Sequence, residues 1–253
     1  ILVKNLQKSK RFSIDLETTS VQPMEAEIVG LSFSIKANSG WYVPIKYLEK
    51  VKNNFDNDDL SFVLKKIKSI LEDESIGKIG QNIKYDALIL KRFGVSLKGI
   101  EFDTMIAAHL LNPAARSIKL ETLSIEHLNY EMIPIEDLIG KGRNQITMDQ
   151  VSLEKASFYA VEDADIAFQL TELFETRLKD AKLFEFFTKV EMPLIPVLIE
   201  MEYEGTFVDT AFLKNMSIEI GKKLDSLIYD IHRLAGTDFN INSTQQLGTI
   251  LFD

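Results

Sequence analysis

The sequence predicts an α/β fold: a mixed five-stranded sheet flanked by helices, followed by a helical extension at the C-terminal end. Two observations carry this. Three short alternating runs near the start give way to helix–strand–helix–strand–helix periodicity, the order of a mixed sheet covered by helices. From residue 190 onward the periodicity is helical throughout. The 253 residues are 45 % apolar and 26 % charged, enough for one large domain or two smaller ones with a substantial core.

The opening strand spans residues 11–17. Phe12, Ile14 and Leu16 alternate with Ser13, Asp15 and Glu17, so Asp15 and Glu17 share the face that the apolar residues leave. "EIVGLSFSI", residues 27–35, and "GWYVPI", residues 40–45, give the second and third strands. Their short connections imply an antiparallel meander. "NFDNDDLSFVLKKIKSILED" then turns helical, with Leu60, Val63, Leu64, Ile67 and Leu71 on one stripe and aspartates at the start. "SIGKIGQN" is the fourth strand and "YDALILKRFG" a helix stopped by Gly94. "GIEFDT" is the fifth strand, after which Asp103 caps "TMIAAHLLNP". Residues 117–150 read as short helices and polar loop, and a long helix covers about 150–180.

The final stretch contains three helical segments. "VEMPLIPVLIEMEYEG" carries Pro193 and Pro196 in its opening turns. "FVDTAFLKNMSIEIGKKLDSLIYDIHRLAG" is long, amphipathic and closed by Gly236. "NSTQQLGTILFD" opens with Ser243 and Gln246 at capping-box spacing. The chain starts at Ile1 without Met and ends at Asp253 within a helical pattern, so a longer polypeptide is expected.

Composition excludes several chemistries. No apolar run approaches the roughly 18–20 residues of a membrane span, and no basic segment precedes an apolar one. There are no cysteines, hence no disulfides or thiolate metal sites. A metal would need oxygen or imidazole ligands, and the histidines are three: His109, His127 and His232. His109 reads as a core residue on an apolar helix face. The net charge of −9 argues against a nucleic-acid binder, unless carboxylates are gathered around cations that reverse the local field.

Three acidic stretches point that way: Asp15-Leu16-Glu17, Asn82 with Asp86, and Tyr159 with Asp163. On the long helix, Tyr159, Asp163, Ile166 and Leu170 fall within about 60° of one another at 100° per residue. Asp163 therefore lies on an otherwise apolar stripe, where an unpaired carboxylate costs several kcal/mol or takes up a proton. A bound cation removes that penalty. Ala156, Ala160, Ala164 and Ala167 form an adjacent strip of small side chains that lets the helix approach a sheet closely. Four acids from three elements favour Mg²⁺ or Mn²⁺ over Zn²⁺. Carboxylates around two such ions cleave phosphodiesters, with a tyrosine to orient the water.

Asp15-x-Glu17, Asn82-x-x-x-Asp86 and Tyr159-x-x-x-Asp163, in this order, resemble the three exonuclease motifs of the tyrosine subtype of the DEDD superfamily. "IGQNIKYDALIL", "FDTMIAAHLLNP", "IGKGRNQITM", "YAVEDADIAFQL" and "VEMPLIPVLIEME" resemble the proofreading region of bacterial family A polymerases, the DNA polymerase I type. The resemblance implies a ribonuclease-H-like sheet over residues 1–188 and the truncated start of a polymerase domain, at the base of the thumb, over 189–253. It implies metal-dependent 3′→5′ exodeoxyribonuclease activity with two divalent cations, Mg²⁺ or Mn²⁺, releasing deoxynucleoside 5′-monophosphates.

By the same resemblance Asp15, Glu17, Asp86 and Asp163 are the metal ligands and, with Tyr159 orienting the water, the catalytic set. Asn82, Thr18, Lys84, Arg143 and Met148 are the substrate-binding residues, Met148 standing near an aromatic wedge of some relatives. The implied partners are a single-stranded or frayed DNA 3′ end and the polymerase remainder of the chain. The implied state is a monomer in the bacterial cytoplasm, at the nucleoid, with no membrane contact. Weak DNA affinity of this stretch alone is expected, through Lys141–Asn144, Lys84 and Arg116. The alternatives are a ribonuclease D-like exoribonuclease and a catalytically silent support for a polymerase.

Overall fold

The computed structural model describes residues 1–52 and 58–252. Its centre is a five-stranded sheet of β1 (Arg11–Thr18), β2 (Ile28–Lys36), β3 (Ser39–Pro44), β4 (Gly77–Gly80) and β5 (Ile100–Asp103), in the order β3-β2-β1-β4-β5. β1–β2 and β2–β3 are antiparallel, the expected meander; β1–β4 and β4–β5 are parallel. The parallel pairs need crossovers. These are supplied by α2 (Leu48–Lys52) with α3 (Asp58–Leu71), and by α4 (Ile83–Arg92). This is the ribonuclease-H-like mixed sheet. A short helix α1 (Leu2–Lys8) precedes β1. Neither α1 nor α2 was expected, because five to seven residues give too little periodicity to register. The expected start of α3 at residues 54–57 lies outside the described residues.

β1 is covered on both sides. Phe12, Ile14 and Leu16 enter the main core with Ile79, Ile83, Leu88 and Phe102. The opposite face carries Ser13, Asp15 and Glu17 beneath α8 (Leu153–Asp180), since Ser13 Oγ donates to the Ala164 carbonyl at 2.6 Å. Close approach there requires small groups. Ala156, Ala160, Ala164 and Ala167 of α8 are at most 2 % exposed. On β2, Ser34, Ser32 and Gly30 stand opposite Ser13, Asp15 and Glu17.

Between β5 and α8 lie α5 (Thr104–Leu111), α6 (Leu120–Leu128) and α7 (Ile135–Ile139). His109 is exposed on α5; the core position read from the sequence is wrong, because this short helix buries only its Thr104, Ala107 and Ala108 side. After α8 come α9 (Phe184–Phe186), a π-helical turn at Phe187–Glu191 and α10 (Met192–Glu204), which contains Pro196. Pro193 and Pro196 remove backbone donors near this widened turn.

Packing divides the chain into two units, Ile1–Glu204 and Gly205–Asp253. The second comprises α11 (Thr210–Ala235) and α12 (Thr244–Phe252). Asp209 caps α11 by accepting from the Phe212 amide at 2.8 Å, and Gly236 at φ 68° ends it. Ser243 Oγ accepts from the Gln246 amide at 3.3 Å, but Gln246 returns its Oε1 to the Asn240 amide at 2.8 Å. The capping box is therefore half formed.

Candidate active site

The site is assembled where β1 passes under α8. Its strand residues are Asp15 and Glu17, two apart on one face. A bulge interrupts the β1–β2 register between Glu17 and Thr18: Glu17 pairs with Gly30 and Thr18 with Ile28. Such an irregularity re-aims neighbouring side chains. α8 brings Asp163 from above. Ligand-type oxygens of Asp15, Glu17 and Asp163 all lie within 4.8 Å of one another. Glu17 is 7 % exposed, while Asp15 and Asp163 retain partial contact with solvent.

Asp86 reaches the same region from α4. Parallel pairing sets β4 beside β1, and the chain turns after β4 through Asn82, which adopts φ 57°, ψ 43°. Asn and Asp tolerate this left-handed region. Asp103 fixes the turn: one of its oxygens accepts from the Ile83 amide at 2.8 Å, the other from Met105 and Ile106 at 2.9 and 3.1 Å. One carboxylate thereby supports two helix starts, which makes Asp103 a cap, as expected. Asp86 is 2 % exposed. It feels the charge of Asp15 and the backbone amide of Leu16.

The electrostatics follow from this crowding. Burial raises Asp15 from 3.8 to about 6. Burial raises Glu17 well above its ordinary value, reinforced by the charges of Asp15 and Asp86. Asp163 is raised by burial, then by Asp15 and Glu17, against a hydrogen bond from Tyr159 that lowers it. Asp86 is raised by burial and by Asp15, against the Leu16 amide. Tyr159 is held up by burial and by Asp163, so its hydroxyl stays protonated and serves as a donor.

No ion pair with Lys, Arg or His reaches these four carboxylates among the described residues, and Glu17 Oε1 has no hydrogen-bond partner. Acidic oxygens gathered without counter-charge, one of them buried and unpartnered, fit a divalent cation with oxygen preference. Asp15, Glu17 and Asp163 are the residues that could hold it, with Asp86 adjacent.

Beside the acids lies a cavity of about 770 Å³ whose lining includes Glu17, Thr18, Asn82, Tyr85, Ile146 and Met148. Thr18 Oγ1, the Tyr85 hydroxyl and the Ser20 carbonyl form one cluster, with Oγ1 2.8 Å from the hydroxyl and 3.1 Å from the carbonyl, in which the two hydroxyl protons are shared. Met148 is 4 % exposed and packs with Val29, Val151, Ala156 and Tyr159. Lys84 pairs with Glu202 of α10. Arg143 is exposed in the Gly142–Asn144 turn, and Arg116 is also exposed. The fold thus brings Thr18, Asn82 and Met148 to the cavity and leaves Lys84 and Arg143 outside its lining.

Three residues escaped the sequence reading. Tyr85 braces Thr18. Glu162, 7 % exposed, accepts from the Tyr130 hydroxyl at 2.7 Å and the Ile133 amide at 2.9 Å. Tyr42 lies on β3 with a buried hydroxyl that has no partner among the described residues. For Tyr42 a signal existed: Gly30 and Ser32 leave space on β2, and the alternation of "GWYVP" fixes its face.

A mixed sheet with two acids on its central strand, and a helix laid across them that supplies a third, defines a ribonuclease-H-like fold with a candidate hydrolytic site. The chain belongs to the 3′-5′ exonuclease family, which matches residues 1–179. Among its relatives is DNA polymerase I of Pseudomonas aeruginosa, 36 % identical over 255 residues, covering 99 % of this chain and 28 % of that protein. The chain spans about a quarter of the length of such relatives. A solved structure described as the POL domain of Pol1 from M. smegmatis in complex with DNA primer-template and dNTP superimposes with TM-score 0.77 at 20 % identity. It covers the whole of this chain and 39 % of that one. Brucella melitensis NrnC bound to pGG gives TM-score 0.59 at 18 % identity, covering 80 % of this chain and 91 % of that one. Among the described residues no helix is long and apolar enough to cross a membrane.

Proposed function

We propose that the chain removes deoxynucleoside 5′-monophosphates from single-stranded or frayed DNA 3′ ends, editing for a polymerase carried by a longer protein. In this reading residues 1–188 are the exonuclease domain and 189–253 begin the polymerase domain. The protein acts as a monomer in the bacterial cytoplasm. The observation that carries the proposal is the convergence of Asp15, Glu17 and Asp163 within 4.8 Å, without a protein counter-charge among the described residues.

Two divalent cations, Mg²⁺ or Mn²⁺, would be held by Asp15, Glu17, Asp163 and Asp86; such ions lower the pKa of water and oppose the charge that builds on a phosphodiester. The chain's own residues supply the rest. Tyr159, protonated and tied to Asp163, orients the attacking water through its hydroxyl. Asn82 contacts the terminal nucleotide, and Thr18, braced by Tyr85, shapes the wall it rests on. Met148 supplies an apolar surface, while Lys84 and Arg143 reach the phosphates of the strand. Sequence preference is low, because stacking and backbone contacts dominate such binding.

A 5′-labelled strand incubated with Mg²⁺ or Mn²⁺ tests this. Stepwise shortening from the 3′ end is expected, and its loss in Asp15→Ala and Asp163→Ala. No metal-dependent shortening by the wild type refutes the proposal, and RNA degraded far faster than DNA transfers it to an exoribonuclease.

A further inference from the structure

We propose that Tyr42 is a positioning residue for Glu17, donating its hydroxyl to the buried Glu17 carboxylate oxygen and so fixing how that carboxylate faces a cation. The inference rests on the metal-site reading above.

Cross-strand register supplies the first argument. Asp15 pairs with Ser32 and Ser32 with Tyr42; Glu17 pairs with Gly30 and Gly30 with Pro44. Directly paired residues point to the same side of a sheet. Tyr42 therefore emerges on the face of the acids, two strands away. Its ring leans diagonally over Gly30, the residue opposite Glu17. A Cβ built on Gly30 would lie 2.2 Å from the Tyr42 hydroxyl oxygen, so the ring occupies the space that the glycine leaves. The hydroxyl is delivered beside Glu17.

The second argument is hydrogen-bond accounting. Among the described residues, the buried side-chain polar atoms without partners are Glu17 Oε1 and the Tyr42 hydroxyl. One is an acceptor, the other a donor. A buried polar atom left without a partner has given up its water and received nothing in return. The terminal torsion of Glu is broad and roughly two-fold, so the proposed bond asks only that the Glu17 carboxylate turn toward the hydroxyl beside it. Burial and the charges of Glu17 and Asp15 raise Tyr42 above the usual tyrosine value, which keeps it a donor. Groups that orient a ligand carboxylate from behind govern its affinity.

Calorimetric titration of the full chain with MnCl₂ alone, beside thermal unfolding in EDTA, tests this. Tyr42→Phe is expected to weaken Mn²⁺ binding ten- to hundredfold without lowering the metal-free Tm. Added to Glu17→Gln, it is expected to cause less than a twofold further loss, because its effect passes through Glu17. Mn²⁺ affinity of Tyr42→Phe within twofold of wild type overturns the proposal while leaving the metal site standing. So does a lower metal-free Tm that accounts for the loss. A wild type that takes up no Mn²⁺ overturns both this and the metal-site reading.

Discussion

Replacing Asp15 by Asn should stabilise the metal-free protein while abolishing the proposed metal-dependent activity. Asp15 titrates at about 6 in the fold, against 3.8 ordinarily, because it is buried. Each unit is worth about 1.4 kcal/mol, so the ionised group costs the fold about 3 kcal/mol above pH 6, an upper value since Asp15 keeps partial solvent contact. The sign follows from proton linkage. The folded state binds the proton more tightly than the unfolded state. The penalty is therefore absent below pH 4, grows between pH 4 and 6, and is complete above pH 6. Asn keeps the shape and removes the charge, and it also relieves Glu17, Asp86 and Asp163, each raised by the Asp15 charge. At roughly 2–4 °C per kcal/mol for a domain of this size, the melting temperature in EDTA at pH 7.5 should rise, by at most about 6–12 °C. The gain should vanish near pH 4, and Mn²⁺ should stabilise only the wild type. A variant less stable than wild type in EDTA at pH 7.5 would show that the buried Asp15 charge carries no folding penalty.

Three further outcomes follow. Mn²⁺ affinity of the wild type should fall at least tenfold between pH 7 and 5, because Asp15 with a pKa of about 6 goes from about 90 % to about 10 % ionised. The ionisable groups facing it are Glu17, Asp86 and Asp163, and calorimetry across that range reads the slope; a flat profile contradicts the assignment. Tyr159→Phe should lower kcat by about 10²-fold or more while Mn²⁺ affinity changes little, and unchanged single-turnover rates would remove its role. Gly30→Ala should destabilise by about 1–3 kcal/mol, read by urea unfolding, because the new methyl would meet the Tyr42 ring. A neutral result would mean that Tyr42 does not lie over Gly30.

The sheet was legible because its strands are simple. β1 alternates polar and apolar residues, and the short turns of the meander leave antiparallel pairing as the natural arrangement for β1 to β3. The parallel pairs were implied only by the intervening helices. Asp15 and Glu17 on one face, and Asp163 on an apolar stripe, were readable from period alone; their meeting within 4.8 Å was not, because it depends on where α8 crosses. The alanine strip was the local clue to that crossing. Asp103 and Asp86 look alike in sequence, each near a strand–helix junction. The first is consumed by three backbone amides; the second, four residues past Asn82, faces the acids instead. Tyr42 and Glu162 escaped because each acts across the fold, through a glycine or a loop far away in the chain.

These carboxylates are proposed to hold divalent cations where a DNA 3′ end is cut. Anomalous scattering from a crystal of the protein with Mn²⁺ and a deoxynucleoside monophosphate tests it most directly. A manganese peak is expected, bonded to oxygens of Asp15, Glu17 and Asp163, with the phosphate beside it and the base in the cavity lined by Asn82 and Met148. Manganese bound elsewhere, with these three side chains free of metal, would contradict it.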